Sequence, residues 1–399
     1  MATPRSIELY HDDSWLFAFQ ARVVEHATIA DKPSVILDRT AFYPESGGQM
    51  ADRGKLGAAT VVDVVLDEAG RIHHVLEGAL PPIGDQVAGE IDKVRRRIHA
   101  AQHTGQHLLS RAFVDVAGAE TVSSRLGESA CTIDFDVATL DERAAARAED
   151  LVNSLIDDDV PVRAFFPAPE ELRALPLRRQ PKVTDNVRVV AIGDFDVSPC
   201  GGTHCTHASQ VGFVRIEAVE RYKGSARVIF SAGPRARRNV TREAAITRAL
   251  AREFTCGTDD VPLGLDKLRR ELTDTRETLG RVRIRVASAL ADDFVRAATN
   301  SVVVGFVEDA SLDLVRAVAA RITAQGDRVA MVAGAADGGT IVLVARGPES
   351  KFDCGAFLKR LASSAGGRGG GRPERAEGRL PLGVDWTAIV AGTLAQMSA

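Results

Sequence analysis

The sequence predicts an α+β protein of several domains. Three observations carry this prediction: short strand-like runs up to about residue 92, helical patterning from Asp92 onward, and strand–helix alternation in the last hundred residues. The expected division is 1–92, a β-barrel-like domain; 93–240, an α+β domain with a candidate metal centre; 241–300, a helical, coiled-coil-like connector; and 301–399, a small α/β domain. A length of 399 residues suits roughly two to four domains.

Leu16 to Phe19, Arg22 to Val24, Ser34 to Leu37 and Ala59 to Leu66 are strand-like and bounded by Gly, Asp and Pro, as in a small barrel. From Asp92 to about Gly118 the reading is helix, and Leu140 to Leu155 reads as a second one. Val187 to Ile192 and two further runs, Phe213 to Ile216 and Arg227 to Phe230, read as strands. Arg235 to Phe254 is a basic helix. After a Gly, Asp and Pro break, Leu265, Leu268, Leu272, Thr275, Leu279, Val282 and Val286 recur at three- and four-residue spacing. That pattern is a coiled-coil-like seam of about three heptads, either packed within the chain or joining two copies as a homodimer. The C-terminal domain offers a second possible dimer surface. Its glycine run, Gly366 to Pro373, reads as a linker or as a backbone loop that approaches phosphate through Arg368 and Arg372.

The chemistry concentrates in two places. His103 and His107 lie four apart in the first helix, so both imidazoles project from one face and can share a metal ion. Far downstream, Cys200 and His204 repeat that offset on a Gly-Gly turn. Two His, a Cys and a further His form a donor set of zinc-like softness. Cys205 and His207 stand close by as alternatives. Zinc proteases with a His pair at this spacing put Glu after the first His; Thr104 occupies that position here and argues against a protease. Closed four-ligand zinc sites are usually structural, whereas catalytic ones keep a position open, and the spacing allows either.

Composition is that of an ordinary soluble chain, 45% hydrophobic and 26% charged, with a net charge of −4. No global basicity announces a polyanionic partner. Five scattered cysteines argue against a disulfide framework and for a reducing compartment. The first residues lack a signal-peptide pattern and no run reaches membrane-span length, so the expected location is cytoplasmic.

Several stretches together carry a family resemblance: Thr40 to Gln49 with Asp52 and Gly54, His103 to Leu109, Cys200 to His204, Gly233 to Ala236, and the terminal glycine-rich run through Gly378. In this order, over nearly the whole chain, they resemble the freestanding alanyl-tRNA editing proteins in their long form. These are relatives of the editing and C-terminal domains of alanyl-tRNA synthetase. The resemblance implies a zinc-binding editing domain and a C-terminal DHH-associated domain. It implies hydrolysis in trans of tRNA(Ala) mischarged with serine, and of its glycine counterpart, by an aminoacyl-tRNA deacylase. A synthetase pocket shaped for alanine cannot reject glycine and poorly rejects a small side chain with one added hydroxyl, so a second site must clear the product. The implied metal ligands are His103, His107, Cys200 and His204. Gly47, Gly48 and Gln49 are expected to help place the acceptor end, and Arg368 and Arg372 to meet tRNA phosphate. Ser124 is the expected reader of the serine hydroxyl, with Thr104 the next candidate. Arg125 stands where the family's loop usually has a His, and Arg368 interrupts the glycine run. The competing function is an RNA-binding module whose zinc is purely structural.

Overall fold

The structure, a computed structural model, describes residues 5–398 except 182 and 337. It is a mixed α+β protein that divides into two compact units, the first ending at Ala249 and the second beginning at Leu250. The boundary falls inside the helix Gly233–Phe254.

The first unit opens with a closed barrel of six strands: Ala18–Ile29, Lys32–Leu37, Ile72–Glu77, Ala59–Leu66, Gly54–Leu56 and Gln86–Ile91, in barrel order. The two runs read separately at Leu16 and Arg22 belong largely to one strand of 12 residues, Ala18–Ile29. Its partner follows directly, because Ala30 and Asp31 take positive φ (48° and 60°) in a two-residue hairpin turn. Apolar side chains such as Val35, Leu37, Leu56 and Ile72 fill the interior.

The helix Lys93–Ala117 leaves the barrel and forms the spine of the second half. Asp92 caps it by accepting from the amides of Val94 and Arg95, and Gly118 ends it at φ 62°. Its apolar side, including Leu108, Leu109 and Phe113, packs in a core with the helix Glu142–Asp157 and a four-stranded sheet. That sheet runs in the order Val214–Tyr222, Ser225–Ala232, Cys131–Phe135, Thr121–Leu126. A separate three-stranded sheet, Val162–Phe165, Val189–Ile192 and Asp196–Pro199, ends at the Cys200 turn.

One ion pair binds helix to barrel. Arg96, 1% exposed, reaches Asp52, which is fully buried. Its remaining donors meet the carbonyls of Ser14 (2.7 Å) and Ala41 (2.5 Å), and Asp52 also accepts from the Tyr43 amide at 2.7 Å. Every charge is therefore compensated, the condition under which a buried pair is tolerated.

In the second unit a five-stranded sheet runs Val302–Val307, Val329–Ala336, Gly339–Arg346, Arg375–Leu380, Arg368–Arg372. The first pair is parallel and the rest antiparallel. Leu312–Ile322 and the end of the long helix Val261–Ala297 cover one face, and Cys354–Ser364 with Trp386–Ser398 the other. The glycine run differs from its reading as a linker or loop: it is an edge strand. Gly369 and Gly371 admit close packing: a Cβ on Gly371 would lie 2.4 Å from the Arg375 carbonyl, and one on Gly355 of the helix Cys354–Ser364 would lie 2.7 Å from the Gly371 carbonyl. The seam of the long helix is exposed, with Leu268, Leu272 and Leu279 at 50, 48 and 54%. No helix among the described residues is long and apolar enough to cross a membrane.

Removing one partner of the Arg96–Asp52 pair leaves a buried, uncompensated charge. Arg96→Met is expected to lower stability by about 3–5 kcal/mol, read from urea unfolding of the full chain by tryptophan fluorescence. Arg96→Met with Asp52→Leu should recover much of that loss.

Candidate metal centre

His103, His107, Cys200 and His204 converge, and their donor atoms all lie within 4.8 Å of one another. Cys200 Sγ lies 3.4 Å from His103 Nε2 and 3.3 Å from His204 Nε2. The local chain explains the convergence. The histidine helix presents two rings one turn apart, and the tight turn after Pro199 returns the second pair to meet them. Gly202 makes this possible, because a Cβ there would fall 2.1 Å from His103 Cε1. Gly201 faces only His11, at 3.5 Å.

Each imidazole is held at its far nitrogen by a different buried partner. His103 Nδ1 donates to Gln49 Oε1 at 2.8 Å. His107 Nδ1 donates to Asp196 at 3.3 Å, and Arg178 and Ser198 hold that carboxylate in turn. His204 Nδ1 lies 3.2 Å from Thr104 Oγ1, which also accepts from the Cys205 amide. Such outer partners fix the tautomer of a ligating His and leave Nε2 for a metal. Arg188 braces the turn by donating to the carbonyls of Cys200 (3.0 Å) and Gly202 (2.9 Å). Trp15 donates to the His204 carbonyl at 3.2 Å.

The shifts of Cys200, His204 and His107 differ in direction. Burial raises the Cys200 thiol, but His103, His204 and His107 outweigh it and hold the pKa well below the thiol range. Burial and His103 push His204 down to about 3. His107 goes the other way: burial lowers it, but the Cys200 sulfur and Asp196 raise it further. A thiolate and neutral imidazoles are the donor states a metal needs, and binding releases any proton left on the set. A tetrahedral metal with bonds of about 2.0–2.1 Å to nitrogen and about 2.3 Å to sulfur has N···S edges of about 3.5 Å. The 3.3 and 3.4 Å separations fit that geometry.

Other residues singled out from the sequence fall in different places. Gly47 and Gly48 form a turn with φ 58° and 86°; a Cβ on Gly48 would meet the Ser124 carbonyl at 2.4 Å. The Leu126 amide donates to the Gly48 carbonyl at 2.7 Å, so this barrel loop docks on the strand Thr121–Leu126. Ser124 pairs opposite Ile133, whose side chain lies in the core, and shares that sheet face; Arg125 is exposed. Cys205 is buried beside Thr104, with its thiol raised to about 12, chiefly by burial. His207 is half exposed and pairs with Asp159 at 3.3 Å. Neither joins the cluster. Arg368 and Arg372 are exposed in the second unit. Sequence reasoning misses Asp196 and Arg188. The available signal is a charge set inside an apolar run: Val187-Arg188-Val189 and Phe195-Asp196-Val197.

Comparison with known proteins bears on the same regions. Family models match residues 13–95 as tRNA synthetases class II (A), 187–229 as the threonyl and alanyl tRNA synthetase second additional domain, and 299–391 as the DHHA1 domain. The alanyl-tRNA editing protein AlaX-L of Pyrococcus horikoshii is 28% identical over 392 residues, covering 93% of this chain and 94% of that protein. Alanine–tRNA ligases of Pyrobaculum neutrophilum and Archaeoglobus fulgidus are each 31% identical, over 94 and 96% of this chain. The chain spans 43% of the length of each ligase.

The two glycines of the turn make opposite predictions. Gly202→Ala is expected to displace His103 and abolish stoichiometric metal binding, whereas Gly201→Ala should retain it. Metal analysis of both purified variants checks this contrast.

Proposed function

We infer that this chain, which belongs to the alanyl-tRNA editing family it resembles in sequence, is a zinc-dependent aminoacyl-tRNA deacylase acting in trans on mischarged tRNA(Ala). The reading assigns residues 93–240 as the editing domain. The observation that carries it is the convergence of His103, His107, Cys200 and His204. In this reading the four residues would hold one Zn²⁺, and catalysis needs one of them to give way so that the metal can supply Lewis acidity at the ester or lower the pKa of a bound water. The substrate is the ester that joins serine, or glycine, to the tRNA 3′ end.

The chain's own residues then have distinct tasks. In the Gly47–Gly48 turn, Gly47, where an added Cβ would meet nothing within 4 Å, gives the acceptor end a surface without a side chain, while Gly48 holds the turn against the strand Thr121–Leu126. Ser124 reads the serine hydroxyl. A site that hydrogen-bonds this hydroxyl leaves its own polar group unpaired when alanine enters, which permits strong discrimination. Thr104 is the weaker candidate for that role, because His204 and Cys205 already engage its hydroxyl. The exposed apolar seam of Val261–Ala297 supports a homodimer through the connector.

Arg368 and Arg372 take tRNA phosphate in this reading. Their strand partners support it: Arg379 stands opposite Arg368, and Arg375 opposite Arg372. Like charges directly opposite each other destabilise a sheet, so an anionic partner would relieve this hairpin. The second reading, an RNA-binding module with structural zinc, draws on the closed four-ligand set. Chelation separates the two: a structural metal lost unfolds the domain, while a catalytic one lost mainly stops turnover.

Two tests follow from these assignments. With tRNA(Ala) carrying serine, glycine or alanine, the first two should be released and alanine spared by about a hundredfold or more. Ser124→Val should slow seryl release about tenfold, the rate equivalent of one hydrogen bond, and leave glycyl release nearly unchanged; equal losses would reject Ser124 as reader. Replacing Arg368, Arg372, Arg375 and Arg379 by Gln should flatten the salt dependence of tRNA binding by about one slope unit for each phosphate no longer neutralised.

A further inference from the structure

The sequence leads one to expect Gln49 at the substrate, and in the structure its side chain bonds to His103 and Thr203. The Gln49 side chain is fully buried and hydrogen-bonded within the chain. Oε1 accepts from His103 Nδ1 at 2.8 Å and from the Thr203 amide at 3.1 Å. Nε2 donates to Thr203 Oγ1 at 2.8 Å. The backbone N–H of Thr203 can only donate, so the amide orientation is fixed, and with it the proton on His103 Nδ1. One carboxamide therefore spans both halves of the ligand set: the helix through His103 and the Cys200–His204 turn through Thr203.

Gln49 also belongs to the docking loop of the barrel. Its backbone closes a turn with Ser46 through paired hydrogen bonds of 2.9 and 3.1 Å. Beside it in the same loop, the Gly48 carbonyl takes the 2.7 Å bond from the Leu126 amide. The same loop is thus anchored to the strand Thr121–Leu126 through Gly48 and to His103 through Gln49.

We propose that Gln49 is a positioning residue that fixes His103 for metal binding and thereby couples metal occupancy to the seating of the barrel loop Glu45 to Gln49. This rests on the metal reading above. Coupling is reciprocal: if the seated loop favours metal, bound metal favours the seated loop by the same factor. Metal occupancy would thus order the surface that receives the acceptor end.

The test uses the full-length chain and zinc, with affinity measured by competition with a chromophoric chelator. Gln49→Met keeps the volume and removes both polar atoms; it should weaken zinc binding about 10–100-fold, the usual effect of losing an outer partner of a ligating His. Gln49→Glu keeps an acceptor for His103 Nδ1 and should bind within about threefold of the parent. Amide exchange at Leu126 should slow when zinc is added to the parent chain, and not in Gln49→Met. An unchanged zinc affinity in Gln49→Met overturns the proposal, as does a Leu126 exchange rate indifferent to zinc in the parent. ¹⁵N NMR of the zinc-loaded parent gives an independent reading even if Gln49→Met fails to fold: an Nδ1-protonated His103 is expected, and an Nε2-protonated ring overturns it. A parent chain that binds no zinc would instead remove the metal reading itself.

Discussion

The buried pair between Arg96 and Asp52 ties the helix Lys93–Ala117 to the barrel. Arg96 lies two turns before His103 on the same helix, and Asp52 lies three residues after Gln49 in the barrel. The pair therefore sets the register between helix and barrel loop at the level where Gln49 must meet His103. A slip of one residue along the helix rotates its side chains by about 100° and would carry His103 away from both Gln49 and Cys200. The expensive burial of a guanidinium and a carboxylate is thus spent on geometry: it places two segments against each other in one way.

The parts of the architecture that are legible in the sequence are local. His103 and His107 announce themselves by helical spacing, Cys200 and His204 by repeating it on a glycine turn, and the barrel by strand runs cut with Gly, Asp and Pro. What stays hidden depends on partners remote in sequence. Nothing in Gln49 itself says that His103 and Thr203 flank it. Asp196 and Arg188 look like surface charges until the three-stranded sheet turns them toward the histidines and the Cys200 turn.

The glycine run misleads for a different reason. A strand of Arg368-Gly-Gly-Gly-Arg372 has no side-chain alternation to read, and its Gly369 and Gly371 serve close packing against the hairpin partner and the helix Cys354–Ser364. The helix Trp386–Ser398 is absent from the sequence-based expectation, although its Trp386 is buried in the core of the second unit and donates to the Met331 carbonyl. The connector seam is legible as a pattern; that it stays exposed within this chain is information only the structure holds.

One sulfur and three nitrogens make up the proposed centre, each imidazole oriented through Nδ1 by Gln49, Asp196 or Thr104. Zinc K-edge X-ray absorption of the purified, zinc-loaded chain measures that shell directly. The expected result is one Zn–S scatterer at about 2.3 Å and three Zn–N scatterers at about 2.0–2.1 Å. Two sulfurs, which would bring Cys205 into the shell, or a shell without sulfur, would contradict the account.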